Sequence, residues 1–228
     1  PADQQYRFFD ILAGIGGKDA LQVVADGFDK GNAQTKEAAV KALSQWSDDG
    51  AAQALLNISR NAGNGAYLDQ ALQGYINLTA KADAPAEQKF LMLRNAMEVA
   101  KTPAQQKAIM KGVQKCKTLP ALIFAGSYLD QPAVQQEAAA AVMNIALSNK
   151  AFTGTTVRSL LEKTIQVLKG QDSDYQKESI RKHLAEMPAG DGFVSMFNGK
   201  DLTGWKGLVA DPVKRAKMDA KTLAAEQK

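Results

Sequence analysis

Lys36-Glu37-Ala38-Ala39-Val40-Lys41-Ala42-Leu43-Ser44-Gln45-Trp46, followed by Ser47-Asp48-Asp49-Gly50 and then Ala51-Ala52-Gln53-Ala54-Leu55-Leu56-Asn57-Ile58-Ser59-Arg60, is the stretch whose reading decides the fold. Apolar residues recur at helical spacing across Ala33–Trp46. The Ser-Asp-Asp-Gly run supplies capping and turn residues. Ala51–Arg60 then resumes the helical pattern, and Asn61-Ala62-Gly63-Asn64-Gly65 turns the chain again. Two helices joined by a short polar turn are the unit, and the rest of the chain reuses it.

Upstream, Phe8, Phe9, Ile11, Leu12 and Ile15 make one stripe, and Leu21, Val23, Val24 and Phe28 make the next. Gly16-Gly17 separates them, and so short a connection suits antiparallel neighbours. Downstream, Ala66–Lys81 is predicted helical, and Pro85 restarts a helix. Thr102-Pro103 and Thr118-Leu119-Pro120 use one device twice: a capping hydroxyl, then proline at or near the first helical position. Asp130–Ser148, Thr155–Lys169 and Asp174–Met187 continue the series to Pro188-Ala189-Gly190. Second helices of successive pairs begin near Lys18, Ala51, Ala86, Leu119 and Thr155, a period in the range of stacked helical repeats. The first helices echo one another: Lys36–Leu43 returns as Gln136–Val142 and, more weakly, as Leu68–Tyr75. Small residues (Ala42, Gly74, Gly112, Ala141) recur about once per pair, where a neighbouring helix must approach closely.

Composition narrows the classes. In 228 residues, 45% are hydrophobic and only 7% aromatic, with alanine abundant, which favours close helix packing over a β-sandwich. No apolar run is long enough to span a bilayer. The net charge of +4 is mild for this length. Lys107, Lys111 and Lys115, flanked by Lys101 and Lys117, form a basic stripe on one helix face. It reads either as a solvated face or as a docking surface for an acidic protein partner. Nucleic acid is disfavoured, because no aromatic platform or arginine cluster accompanies the lysines.

Candidate chemistry is sparse. The one histidine, His183, excludes any site that needs two His ligands. The one cysteine, Cys116, lies between Lys115 and Lys117, a setting that could lower a thiol pKa, but a bystander at a helix end is the simpler reading. Gly14-Ile15-Gly16-Gly17 follows a helix pattern rather than a strand and so fails as a dinucleotide loop. Asp48-Asp49 and Asp172/Asp174 sit at helix starts, where capping explains them. Asn57-Ile58-Ser59 and Asn77-Leu78-Thr79 match a glycosylation pattern but fall inside helices. Trp46 reads as a core anchor rather than a sugar platform. These residues indicate no catalytic residue, no metal site and no cofactor.

The Glu37–Asn61 unit resembles a HEAT repeat, and the likeness extends over about residues 5–186. It implies an all-α fold: a right-handed α-α superhelix, a HEAT/armadillo-like solenoid of about eleven helices, as a domain over 1–188. The chain departs from the repeat pattern in lacking a regular Asp/Arg ladder. Residues 189–228 read differently. Alternation over Phe193–Phe197 predicts a short strand, Asn198-Gly199 a tight turn, Leu202–Trp205 a second extended piece, and Asp211-Pro212 the start of a Lys-rich helical stretch. Phe197, Asn198, Gly199, Asp201, Leu202, Gly204 and Trp205 resemble the opening of the 3-keto-disaccharide hydrolase domain, a concanavalin-like jelly roll. Those seven residues are structural in this reading, and the resemblance brings no catalytic residue with it.

Together the resemblances imply a non-catalytic scaffold domain of a larger glycoside hydrolase-like protein. Its partners would be the downstream hydrolase domain of the same polypeptide and a protein on the solenoid face. Its location would be periplasmic or secreted; a removed signal peptide or a trimmed start would each explain a chain that opens on Pro1. The alternative is a stand-alone repeat scaffold unconnected with carbohydrate.

Overall fold

A computed structural model describes residues 2–190, 200, 201, 203, 205 and 207–226, with backbone alone at 2, 3 and 62–64. The fold is all-α, and no strand occurs among the described residues. The chain divides into two compact units, Pro1–Gly192 and Phe193–Lys228.

The first unit opens with a 3-10 segment, Ala2–Phe8, and continues through eleven α-helices: α1 (Phe9–Ile15), α2 (Lys18–Lys30), α3 (Ala33–Ser44), α4 (Ala52–Arg60), α5 (Leu68–Lys81), α6 (Ala86–Val99), α7 (Pro103–Cys116), α8 (Leu119–Gly126), α9 (Gln135–Ser148), α10 (Thr155–Val167) and α11 (Ser173–Glu186). The second unit adds α12 (Pro212–Ala216) and α13 (Ala220–Glu226), so the described residues hold thirteen α-helices rather than about eleven. The single Lys-rich helix expected after Asp211 is broken because Asp219 starts a new one. Its carboxylate accepts hydrogen bonds from the backbone N–H groups of Lys221 and Thr222. The strand expected at Phe193–Phe197 and the turn at Asn198-Gly199 lie outside the described residues. Of Leu202–Trp205, only Thr203 and Trp205 are described, and neither is in a strand.

Helix starts follow local chemistry. The Thr102 hydroxyl accepts from Gln105 N–H while the Gln105 carboxamide accepts from Thr102 N–H, a complete capping box. Thr118 caps α8 with its hydroxyl alone, accepting from Ala121 N–H. The acidic pairs depart from the capping expectation. Asp48 instead closes a turn by accepting from Gly50 N–H at 2.7 Å, and the N-cap residue of α4 is Ala51. Asp172 occupies the α11 N-cap position without a side-chain hydrogen bond. Gly16 and Gly17 both adopt positive φ, a conformation costly for other residues, which is why this turn needs two glycines.

Packing in the first unit is local in sequence order. The odd helices form one row, with α1 against α3, α3 against α5, α5 against α7, α7 against α9 and α9 against α11. The even helices from α4 to α10 form a second row, and consecutive helices pair between the rows. One buried apolar cluster runs through the unit from Phe9 to Met187. Trp46 is 1% exposed within it, which fits a core anchor. Alanine-rich α9 touches α7, α8, α10 and α11, so Ala138, Ala139, Ala141, Val142 and Ile145 are all buried.

Within the first unit, polar bonds join helices and turns that lie 31 to 36 residues apart in sequence. Lys41 pairs with Asp10 at 3.0 Å, and Lys150 with Glu186 at 3.3 Å. Gln105 donates to Asp69 at 2.6 Å. Gln136 donates to the Val167 carbonyl and accepts from Lys169 N–H. These exposed or half-buried links are individually weak, so the apolar seams carry most of the stability.

Small residues set how close those seams are. A Cβ on Gly74 would lie 2.8 Å from the Cα of Ser44, a backbone atom that cannot yield cheaply. Gly14, inside α1, has nothing within 4 Å of that position. The same substitution should therefore have opposite signs. Gly14→Ala should stabilise the fold by roughly 0.5–1 kcal/mol through helix propensity. Gly74→Ala should destabilise it by about 1–3 kcal/mol through overpacking. Urea unfolding of the two variants checks this; equal effects would contradict the close α3–α5 seam.

Candidate functional site

The basic stripe read from the sequence lies on a groove. Residues of α5, α6 and α7 enclose a cavity of about 750 Å³, within the size range of ligand pockets. Lys107, Lys111 and Lys115 line it from α7, and Lys89 joins them from α6. Lys101 and Lys117, the expected flanks of the stripe, do not line it. The apolar lining includes Ile76, Ala80, Leu93 and Ala108, with Gln73, Asn77 and Thr79 as the polar contribution of α5.

A second cavity of about 390 Å³ shares Gln73, Ile76, Ala104 and Ala108 with the first and extends to Asp69 and Gln105. The two make one trough between α5 and α7. Asp69 and Gln105 meet near the N-terminal ends of α5 and α7, while Ala80 and Cys116 line the trough near their C-terminal ends, so the two helices run in the same direction.

Charge in the trough is unevenly matched. Lys107 pairs with Glu137 of α9 at 3.4 Å. The other oxygen of that carboxylate, Glu137 Oε2, is buried without a hydrogen-bond partner among the described residues. Lys89 donates to the Ala80 carbonyl at 3.2 Å. Lys111 and Lys115 are exposed and form no ion pair among the described residues. Asp69, the acidic residue at the far end, is engaged by Gln105. The Asn77 side-chain oxygen is engaged by Gln73 at 3.0 Å.

Cys116 lines the groove at the C-terminal end of α7, and the lysines do not activate it. Burial pushes its thiol pKa up; Lys89 acts in the opposite direction and Glu87 in the same direction as burial. Its Sγ lies 3.7 Å from the Gly112 carbonyl, the local contact of a helix-end thiol. Tyr75, on the buried side of α5, is pushed up to about 12 by burial and donates to the Met92 carbonyl at 3.1 Å. His183 lies half-buried in α11, away from the groove lining, and burial lowers its pKa, with Glu186 opposing and Lys150 reinforcing that direction.

No cluster of three or more potential metal-ligating side chains occurs among the described residues. No helix among them is long and apolar enough to cross a membrane. Asn57 and Asn77 are exposed within α4 and α5, but Ser59 and Thr79 are buried and donate back to the Leu55 and Tyr75 carbonyls. Of the seven motif residues in the second unit, Phe197, Asn198, Gly199, Leu202 and Gly204 lie outside the described residues. Asp201 accepts from Thr203 N–H at 2.9 Å, and Trp205 is 47% exposed.

Sequence spacing located three of the four groove lysines. Lys89 was missed because it is brought in by the α6–α7 pairing rather than by periodicity on one helix. The Asp69–Gln105 bond was missed for the same reason. Comparison with known proteins finds no family model, curated protein or solved structure that matches the chain.

Because burial disfavours the thiolate, Cys116 in the folded chain should react with iodoacetamide far more slowly at pH 8 than in urea-unfolded chain. Mass spectrometry of the alkylated protein over time checks this. Equal rates in the two states would contradict a buried, unactivated thiol.

Proposed function

We propose that residues 1–188 form a helical-repeat interaction domain, a right-handed α-α superhelix of the HEAT/armadillo-like kind, that binds a protein partner rather than performing catalysis. The observation that carries this reading is the packing order: helices meet their first and second neighbours in two parallel rows. In a repeat array each unit touches only adjacent units, and stacking leaves extended surfaces suited to binding. The α5–α7 trough is such a surface, and its lining offers lysines and apolar atoms.

The second half of the proposal concerns the parent protein. Phe197, Asn198, Gly199, Asp201, Leu202, Gly204 and Trp205 support a hydrolase-like jelly-roll domain downstream, as their resemblance implies. On that reading the array presents or docks a neighbouring 3-keto-disaccharide hydrolase domain in a periplasmic or secreted protein. The observation that bears on it is the reading frame after Lys228. A β-rich region of about 150–200 residues, one large domain, should follow. Its absence would favour a repeat scaffold with no link to carbohydrate chemistry.

Incubating the chain with 3-keto-glycosides and ordinary glycosides, with product detected by mass spectrometry, tests the non-catalytic assignment. No turnover is expected. Turnover that co-purifies with the folded chain and disappears on heat unfolding would contradict it.

A further inference from the structure

We propose that the trough between α5 and α7 binds an acidic amphipathic helix, with its apolar face on the trough floor and its carboxylates against Lys107, Lys111 and Lys115. This names the partner of the interaction domain proposed above and rests on that reading. The argument begins with spacing. Lysines four residues apart on α7 repeat about every 6 Å along the helix axis. A helix lying alongside α7 repeats at the same interval, so carboxylates at positions i, i+4 and i+8 face all three ammonium groups together. Lys89 on α6 adds a fourth cation to the lining.

Size and floor fit the same occupant. A three-turn helix about 10 Å across fills roughly 1,300 Å³. A cavity of about 750 Å³ therefore embeds about half of it and leaves its other face in water. The floor is made largely of short side chains, including Ala80, Ala104, Ala108 and Gly112, which allow a close approach. Ile76 and Leu93 supply the larger apolar surface beneath them.

Backbone chemistry selects a helix over an extended peptide. The trough walls are helices whose own amides and carbonyls are bonded internally, so they offer no edge for β-pairing. The side-chain oxygen of Asn77, a lining amide, is already engaged by Gln73. An extended strand buried here would leave its peptide groups unpaired, whereas a helix satisfies its own. The charge balance selects an acidic partner. Glu137 engages only Lys107, and no carboxylate among the described residues pairs with Lys111 or Lys115.

The probe is a fluorescein-labelled helical peptide of about 16 residues, roughly the length of α5 or α7, with Glu at every fourth position beside a Leu/Ala face. Anisotropy titration against the full chain should show saturable binding that weakens as salt rises. A peptide of the same composition in scrambled order should bind roughly tenfold more weakly or worse. Charge reversal of two exposed lysines, Lys111→Glu with Lys115→Glu, should also reduce affinity by about tenfold or more. Ala108→Trp, which fills the floor without altering charge, should do the same, with far-UV circular dichroism confirming that each variant is folded. Equal binding of the scrambled peptide, binding unchanged in the folded variants, or inorganic polyphosphate binding as tightly as the peptide would overturn the proposal. Absence of peptide binding overturns the occupant assigned to the trough. Turnover by the folded chain would overturn the interaction-domain reading instead, so the two failures are distinguishable.

Discussion

Close approach between helices at small residues is the constraint on which the rest of this structure depends. Gly74 lets α5 settle against the backbone of α3 at Ser44. Gly27 gives the Phe9 ring a place against α2, Gly112 receives Leu93, and Gly126 receives Leu160. Each contact joins helices that are first or second neighbours in the chain. With such seams recurring along the first unit, the apolar cluster continues from one end of it to the other although the contacts that build it are local. The single tryptophan in this unit, Trp46, lies in the turn between α3 and α4 and is buried in that cluster.

The same economy of side chain produces the trough. Where a facing backbone closes in, a glycine or alanine makes a tight seam. Between α5 and α7, Ala80, Ala104 and Ala108 do not reach across, and a groove is left open between the two helices. Its chemistry follows from what α6 and α7 present there. Three lysines come from the periodicity of α7 and one from α6, while Glu137 of α9 restrains only Lys107. Electrostatics of this kind contributes more to partner choice and encounter rate than to stability.

Much of the fold was legible because periodicity and capping are local. The starts of α2, α6, α8 and α10 fall at the residues read from the sequence, and that of α4 falls one residue later. Thr102 and Thr118 cap as their Thr-Pro contexts implied. Asp172 and Asp174 do lie at the start of α11, though Asp172 makes no cap bond; Asp48 differs because an aspartate before a helix can satisfy a turn amide as readily as a helix amide, and it takes the turn. The helical pattern runs back to Asp130, yet α9 begins at Gln135: proline disfavours helical backbone at the residue before it, Gln131, and turn bonds from Gln131 N–H to the Tyr128 carbonyl and from Val134 N–H to the Gln131 carbonyl occupy the stretch. The site was half legible. Lys107, Lys111 and Lys115 share one helix, so spacing finds them. Lys89, the Gln105–Asp69 bond and the depth of the groove arise from packing between helices, which one helix's pattern does not encode.

The central claim is that the first unit is an array held by nearest-neighbour seams. Hydrogen exchange across a urea series, followed residue by residue, tests it most directly. If the claim holds, amides of α11 and α10 open at lower urea than those of α5 and α7, and protection falls in steps that follow helix order. If α1 to α11 instead exchange through one common global opening with a single free energy, the unit is an indivisible core and the account is contradicted.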